Sequence, residues 1–104
     1  MVEAANYPVT PSGDKILRDR DVAVIPDILA NAGGVTGSYF EWSQNIQQFT
    51  WKEERFVTEL RDKMDGAYRF TQAFADEHQV GLRQAAYAIG IRRVADACTL
   101  RGYI

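Results

Sequence analysis

Residues 26–42 read PDILANAGGVTGSYFEW, and this stretch decides how the rest of the chain is understood. It follows a short apolar run, Val22-Ala23-Val24-Ile25, and leads into residues that can all be helical. A strand running through such a segment into a helix places exposed amides and small side chains where ligands bind in open α/β sheets. Gly33, Gly34 and Gly37 admit close approach, either of a ligand or of a neighbouring helix. The stretch lacks the G-x-G-x-x-G spacing of a dinucleotide fingerprint and also the lysine of a P-loop. From the residues alone, close helix packing is the favoured reading of the two adjacent glycines.

Upstream, Val2 to Asn6 reads as a short strand closed by Tyr7-Pro8, and Thr10-Pro11 supplies a capping hydroxyl with proline at the first helical position. The helix it starts spans about residues 11–20, with Ile16 and Leu17 inward. Val22 to Ile25 then suits a buried parallel strand. A strand–helix–strand unit of this kind is parallel and right-handed, which sets Asn6 beside Pro26-Asp27 at the carboxyl edge of the pair.

Downstream, residues 34–48 form one helix, with Tyr39, Trp42 and Ile46 on one face. Thr50-Trp51-Lys52-Glu53 has the pattern of a capping box opening a second helix. Phe56, Leu60, Met64, Ala67, Thr71 and Phe74 step along that helix as an amphipathic stripe. Gln79-Val80-Gly81 ends it. A last helix over about residues 82–101 stops at Gly102 and is apolar on more than one face through Ala85, Ala86, Ala88, Ile89 and Ile91.

With 104 residues the chain is at most one domain, and 46% hydrophobic and 25% charged residues are ordinary for a globular protein. A net charge of −2 gives no reason to expect nucleic acid or an anionic membrane as partner. No apolar run is long enough to span a bilayer, and the amino terminus lacks a signal-peptide pattern. A single cysteine, Cys98, fits a reducing cytoplasm. The abrupt entry of Met1-Val2-Glu3 into an extended run implies an artificial boundary or a truncated reading frame.

Asn31-Ala32-Gly33-Gly34-Val35 resembles the signature shared by the glutamate, leucine, phenylalanine and valine dehydrogenases. Ser38-Tyr39-Phe40-Glu41-Trp42 resembles the continuation particular to the hexameric glutamate dehydrogenases. Val2-Glu3-Ala4-Ala5-Asn6 with Pro8, Thr10 and Pro11 matches their preceding strand and turn, and the likeness continues to Gly102. The chain departs from the pattern at Ser12 and Gly13, where glutamate and alanine are usual, and at Gly37, often a branched residue.

The resemblance implies the carboxyl-terminal part of such an enzyme, in which oxidative deamination of L-glutamate to 2-oxoglutarate and ammonia reduces NAD or NADP. The implied fold is α/β but predominantly helical: a partial Rossmann-like strand–helix–strand unit followed by three helices. Residues 1–48 would close the nucleotide-binding domain, and residues 49–104 would form the hinge and return to the substrate domain. Asn6 and Asn31 would hydrogen-bond the nicotinamide end of the cofactor, an amide offering both donor and acceptor. Each asparagine is equally suited to capping a turn. Val35 would pack on the carbon chain of the substrate, and Ser38 would donate to its side-chain carboxylate.

No catalytic or metal-binding residue is assigned to this chain. The family's catalytic lysines and aspartate, and the residue separating NAD from NADP, belong to parts this chain lacks. Glu41 is expected to pair with a distant arginine, His78 to cap a helix end, and Cys98 to be a small buried hydrophobe. Arg92, Arg93 and Arg101 form a solvated or interface face. Isolated, the chain is expected to self-associate, because two strands leave unpaired edges and the last helix leaves apolar surface. The other readings are a stand-alone helical interaction module and a leucine- or valine-type dehydrogenase, the latter disfavoured by Ser38 and the aromatic run.

Overall fold

The computed structural model describes residues 1–103. Five helices follow one another: α1 (Pro11–Asp19), α2 (Asp27–Ala30), α3 (Ala32–Gln47), α4 (Glu53–His78) and α5 (Leu82–Leu100). Thr10 caps α1 as its sequence requires, its Oγ1 accepting from Gly13 N at 3.2 Å. The single turn α2, not anticipated, arises where buried Pro26 opens a turn whose first residue, Asp27, accepts from the Ile28 amide at 2.8 Å.

The expected strand–helix–strand unit is reduced to one isolated parallel bridge, Val2 with Ile25. Glu3 N donates to Ile25 O at 3.1 Å and Ile25 N to Met1 O at 2.9 Å. Pairing ends there, because no third extended segment among the described residues lies alongside to continue a ladder. Val22 and Val24 are only half covered and Val2 is exposed, so this is not a buried strand. On α1, Leu17 is partly covered but Ile16 faces solvent, contrary to expectation.

The long helix α4 is the central strut, with α3 on one part of it and α5 on another. Most of its stripe is at least partly covered, Ala67 being exposed. The capping box does not form, and the cap is Lys52, without a side-chain bond. Trp51 N instead donates to Gln44 Oε1 at 2.7 Å, which ties the approach to α4 back onto α3. Phe40, 4% exposed, is the joint between the two helices. Its ring lies 5.3 Å from that of Trp51 and 5.7 Å from that of Phe56, edge-on to the latter. Tyr39, Trp42 and Ile46, expected to share one face, do so on the solvent side.

Gly37 is where that joint is tightest. A Cβ there would stand 3.3 Å from Phe56 Cζ, so the missing side chain admits the ring rather than loosening the packing. Both α3 and α4 end on a left-handed glutamine, Gln48 at φ 52 and Gln79 at φ 53, with the next amide reaching back to Gln44 O and Ala75 O. Gly102 takes the same role after α5 at φ 73, as expected.

The core is small: Leu29, Phe40, Ala75 and Ala85, with Pro26. The radius of gyration is 16.3 Å, against roughly 13 Å for a compact domain of this length. The accessible surface is 7945 Å², where a compact monomer of this mass presents about 5,900 Å². On α5, Ala85 is sealed against α4 while Ile91, Val94 and Leu100 are open. A shallow apolar depression of about 410 Å³ lies on this side, lined by Ile28, Tyr87, Ile91 and Val94 among others.

Candidate functional site

The four residues singled out in the sequence fall on two adjoining pieces of structure. Asn6 lies in the turn after the bridge, and Asn31 joins α2 to α3. Their side chains meet, Asn31 Nδ2 donating to Asn6 Oδ1 at 2.5 Å. The turn is fixed from below. Asp27 Oδ2 accepts the Tyr7 amide at 2.7 Å, which holds Tyr7 at φ 50, a conformation uncommon for an aromatic residue. Asn31 N in turn donates to Asp27 O at 2.9 Å. The pairing uses one acceptor and one donor. Asn6 Nδ2 and Asn31 Oδ1 remain open to a ligand among the described residues.

Val35 and Ser38 follow on α3, one helical turn apart and both exposed, Val35 at 71%. Ser38 Oγ donates to Gly34 O at 3.1 Å, a local bond that a better acceptor can displace by rotation about χ1. The adjacent glycines are not explained by packing within the chain. A Cβ on Gly34 would meet nothing within 4 Å, and one on Gly33 would make ordinary contact with Met64 Sδ at 3.8 Å. Glycine in a helix costs about 0.5–1 kcal/mol relative to alanine. Gly34→Ala is therefore expected to stabilise the chain by about that amount, which urea unfolding checks.

Beneath the asparagines lies a charge cluster that the sequence did not disclose. Arg83 of α5 reaches across to the amino-terminal segment and grips Glu3 with both terminal nitrogens, Nη1 to Oε2 at 2.9 Å and Nη2 to Oε1. Its Nε donates to Asp14 Oδ1 at 2.8 Å, and Asp27 Oδ1 lies 4.0 Å from Nη1. Glu3 Oε2 also accepts the Asp27 amide at 3.0 Å. Glu3 and Asp27 are buried. The hydrogen bond from Arg83 holds the Glu3 carboxyl below its ordinary range against the opposing effect of burial, with the Asp27 amide assisting. The same bond raises Arg83, so it stays charged throughout. No local pattern points to this cluster, because its members are up to 80 residues apart.

The other singled-out residues take plain roles. Glu41 is exposed and has no ion-pair partner among the described residues, so the expected arginine contact is not made here. His78 closes α4 with Nδ1 3.0 Å from Phe74 O and its ring stacked on Phe74 at 4.0 Å. Cys98 is half-buried rather than enclosed. Arg92, Arg93 and Arg101 are exposed, and Arg93 lies over the Phe70 ring at 5.4 Å. Among the described residues no His, Cys, Asp and Glu cluster could hold a metal ion, and no helix is long and apolar enough to cross a membrane.

Known proteins resemble this chain in sequence and in fold. Residues 1–102 match the family described as Glutamate/Leucine/Phenylalanine/Valine dehydrogenase. The chain is 47% identical over 104 residues to the cryptic catabolic NAD-specific glutamate dehydrogenase GudB of Bacillus subtilis, covering all of this chain and 24% of that protein. It is 46% identical over 103 residues to the NAD-specific glutamate dehydrogenase of Staphylococcus aureus, covering 99% of this chain and 25% of that one. The crystal structure of glutamate dehydrogenase from Peptoniphilus asaccharolyticus superposes with a TM-score of 0.90 at 43% identity, over 99% of this chain and 26% of the other. The leucine-bound hetero-hexameric glutamate dehydrogenase of Thermus thermophilus gives a TM-score of 0.90 at 28% identity, over 94% of this chain and 24% of the other. The chain thus spans about a quarter of the length of the relatives it matches.

Proposed function

The chain belongs to the glutamate/leucine/phenylalanine/valine dehydrogenase family, and from that premise we propose that it is the part of an NAD-dependent glutamate dehydrogenase that positions the nicotinamide end of the cofactor and the substrate's side chain. The observation that carries this reading is the open space at Gly34 beside the Asn6–Asn31 pair. Glycine where no neighbour needs it, next to two amides with unused hydrogen-bonding capacity, fits a surface built for close approach by a ligand. NAD, when bound, supplies the hydride acceptor for oxidative deamination of L-glutamate to 2-oxoglutarate and ammonia.

Asn6 and Asn31 hold the carboxamide or ribose hydroxyls of the cofactor. Val35 covers the substrate's carbon chain, and Ser38 turns from Gly34 O to donate to the distal carboxylate. NAD rather than NADP is favoured because the two bacterial relatives above are NAD-specific enzymes. In this reading residues 1–48 close the nucleotide-binding domain, and residues 49–104 form the hinge and the return to the substrate domain. The large accessible surface supports extensive cover by other protein, the rest of the enzyme or, for the isolated chain, another copy.

Ser38→Ala in the full-length enzyme tests the substrate assignment. Losing a hydrogen bond to a charged group costs roughly 1.5–3 kcal/mol. That is a drop of about 10- to 150-fold in kcat/KM for glutamate relative to norvaline, which lacks the distal carboxylate. An unchanged preference between the two substrates would refute the role of Ser38. Gly34→Ala adds a second check, with opposite signs: a more stable helix but weaker binding of NAD and substrate. The purified 104-residue chain, lacking the groups that activate the substrate, is expected to show no glutamate oxidation above a blank preparation.

A further inference from the structure

The cofactor reading of Asn6 and Asn31 does not say why a guanidinium from a distant helix lies behind them. Arg83 is only the second residue of α5, yet both its terminal nitrogens are committed to a carboxylate in the first extended segment. We propose that Arg83 is a positioning residue for the asparagine pair: by gripping Glu3 it fixes, through Asp27, the turn that presents Asn6 to Asn31. The proposal rests on the cofactor reading for its functional consequence, but its structural claim can be judged separately.

The path is short and fully bonded. Arg83 holds both oxygens of Glu3, and Glu3 Oε2 accepts the Asp27 amide at 3.0 Å. Asp27 Oδ2 then accepts the amide of Tyr7, next to Asn6, at 2.7 Å, while its carbonyl accepts the amide of Asn31 at 2.9 Å. One residue, Asp27, therefore sets both asparagines, and its own place is set by Glu3. Tyr7 at φ 50 is a conformation that persists only where its surroundings impose it. The two-pronged Arg–carboxylate contact fixes direction as well as distance, which a lysine ammonium does not. The guanidinium comes from the segment assigned above to the hinge, so the placement of α5 is mechanically joined to the cofactor end of the site.

The test uses the full-length enzyme. Arg83→Lys keeps the charge and loses the fork, while Glu3→Gln keeps an acceptor for Asp27 and loses the ion pair. In crystal structures of both variants, Asn6 Oδ1 is expected to leave hydrogen-bonding reach of Asn31. NAD binding, measured by calorimetry, is expected to weaken on the order of 10- to 100-fold, the size of effect expected when a buried hydrogen-bonding group loses its partner. Asn31→Ala is expected to weaken it similarly, and Arg83→Lys combined with Asn31→Ala to be no weaker than Asn31→Ala alone, because Arg83 acts through the pair. An intact Asn6–Asn31 contact in both variants, or losses that add in the double variant, overturns the positioning role. Normal NAD binding by Asn31→Ala instead overturns the cofactor reading, and the crystal structures then still decide whether Arg83 sets the pair.

Discussion

Phe40→Ala is expected to destabilise the chain by about 3–5 kcal/mol, the range for removing a buried aromatic side chain from a core. Such a loss is a large part of the 5–15 kcal/mol that holds a small domain together. The magnitude follows from how little else joins α3 to α4. Phe40 alone of α3 is buried, and it meets Trp51 and Phe56 at ring separations of 5.3 and 5.7 Å. Removing it leaves a void that Gly37, with no side chain to move in, does not fill. Trp42, two residues on and 58% exposed, provides the contrast. Trp42→Ala is expected to change stability by no more than about 0.5 kcal/mol. Urea unfolding of both variants checks the pair. A cost for Phe40→Ala below about 1 kcal/mol, or equal costs for the two, would mean that the aromatic run is not divided into an inner and an outer face.

That division marks where sequence reading succeeds and where it stops. The four longer helices were legible because their signals are local: the Thr10-Pro11 cap, the stripe from Phe56 to Phe74, the glycine after α5. The inward face of α3 was not. Tyr39, Phe40 and Trp42 are all large and apolar, and period alone does not choose between Phe40 and its neighbours when the other side awaits a partner. The capping box failed for a related reason. Trp51 docks on α3 and shifts the start of α4 to Glu53, a tertiary contact overriding a local pattern. The paired strands shrank to a bridge because a β-ladder depends on neighbours that no single segment encodes.

For the candidate site, the strand–helix–strand geometry set Asn6 beside Pro26-Asp27, and the Tyr7 amide does bond Asp27 Oδ2, but the direct Asn6–Asn31 contact was not read from it. The Arg83 cluster was invisible, since Glu3, Asp14, Asp27 and Arg83 look like ordinary surface charges until the fold assembles them.

That cluster predicts a stability effect whose size depends on pH. Arg83→Met leaves Glu3, which is buried, without its counter-charge. Stranding one member of such a pair costs about 3–5 kcal/mol, most of it the penalty on the ion left behind. The Glu3 carboxyl is held below its ordinary value of 4.5 in the folded chain, chiefly by the Arg83 hydrogen bond. A group depressed on folding stabilises fully above its unfolded value, and that stability is lost as pH falls through the folded one. The wild-type chain should therefore weaken progressively as the pH drops below 4.5. In Arg83→Met the depression is gone and burial dominates, so Glu3 takes up its proton at higher pH and the variant loses less on acidification. The difference between the two proteins is thus expected to be about 3–5 kcal/mol at neutral pH and to narrow as acid neutralises Glu3. Guanidinium unfolding of both at a series of pH values from neutral to acidic measures it. A gap that stays constant across the series would mean that Arg83 contributes through its aliphatic packing rather than by holding the Glu3 charge.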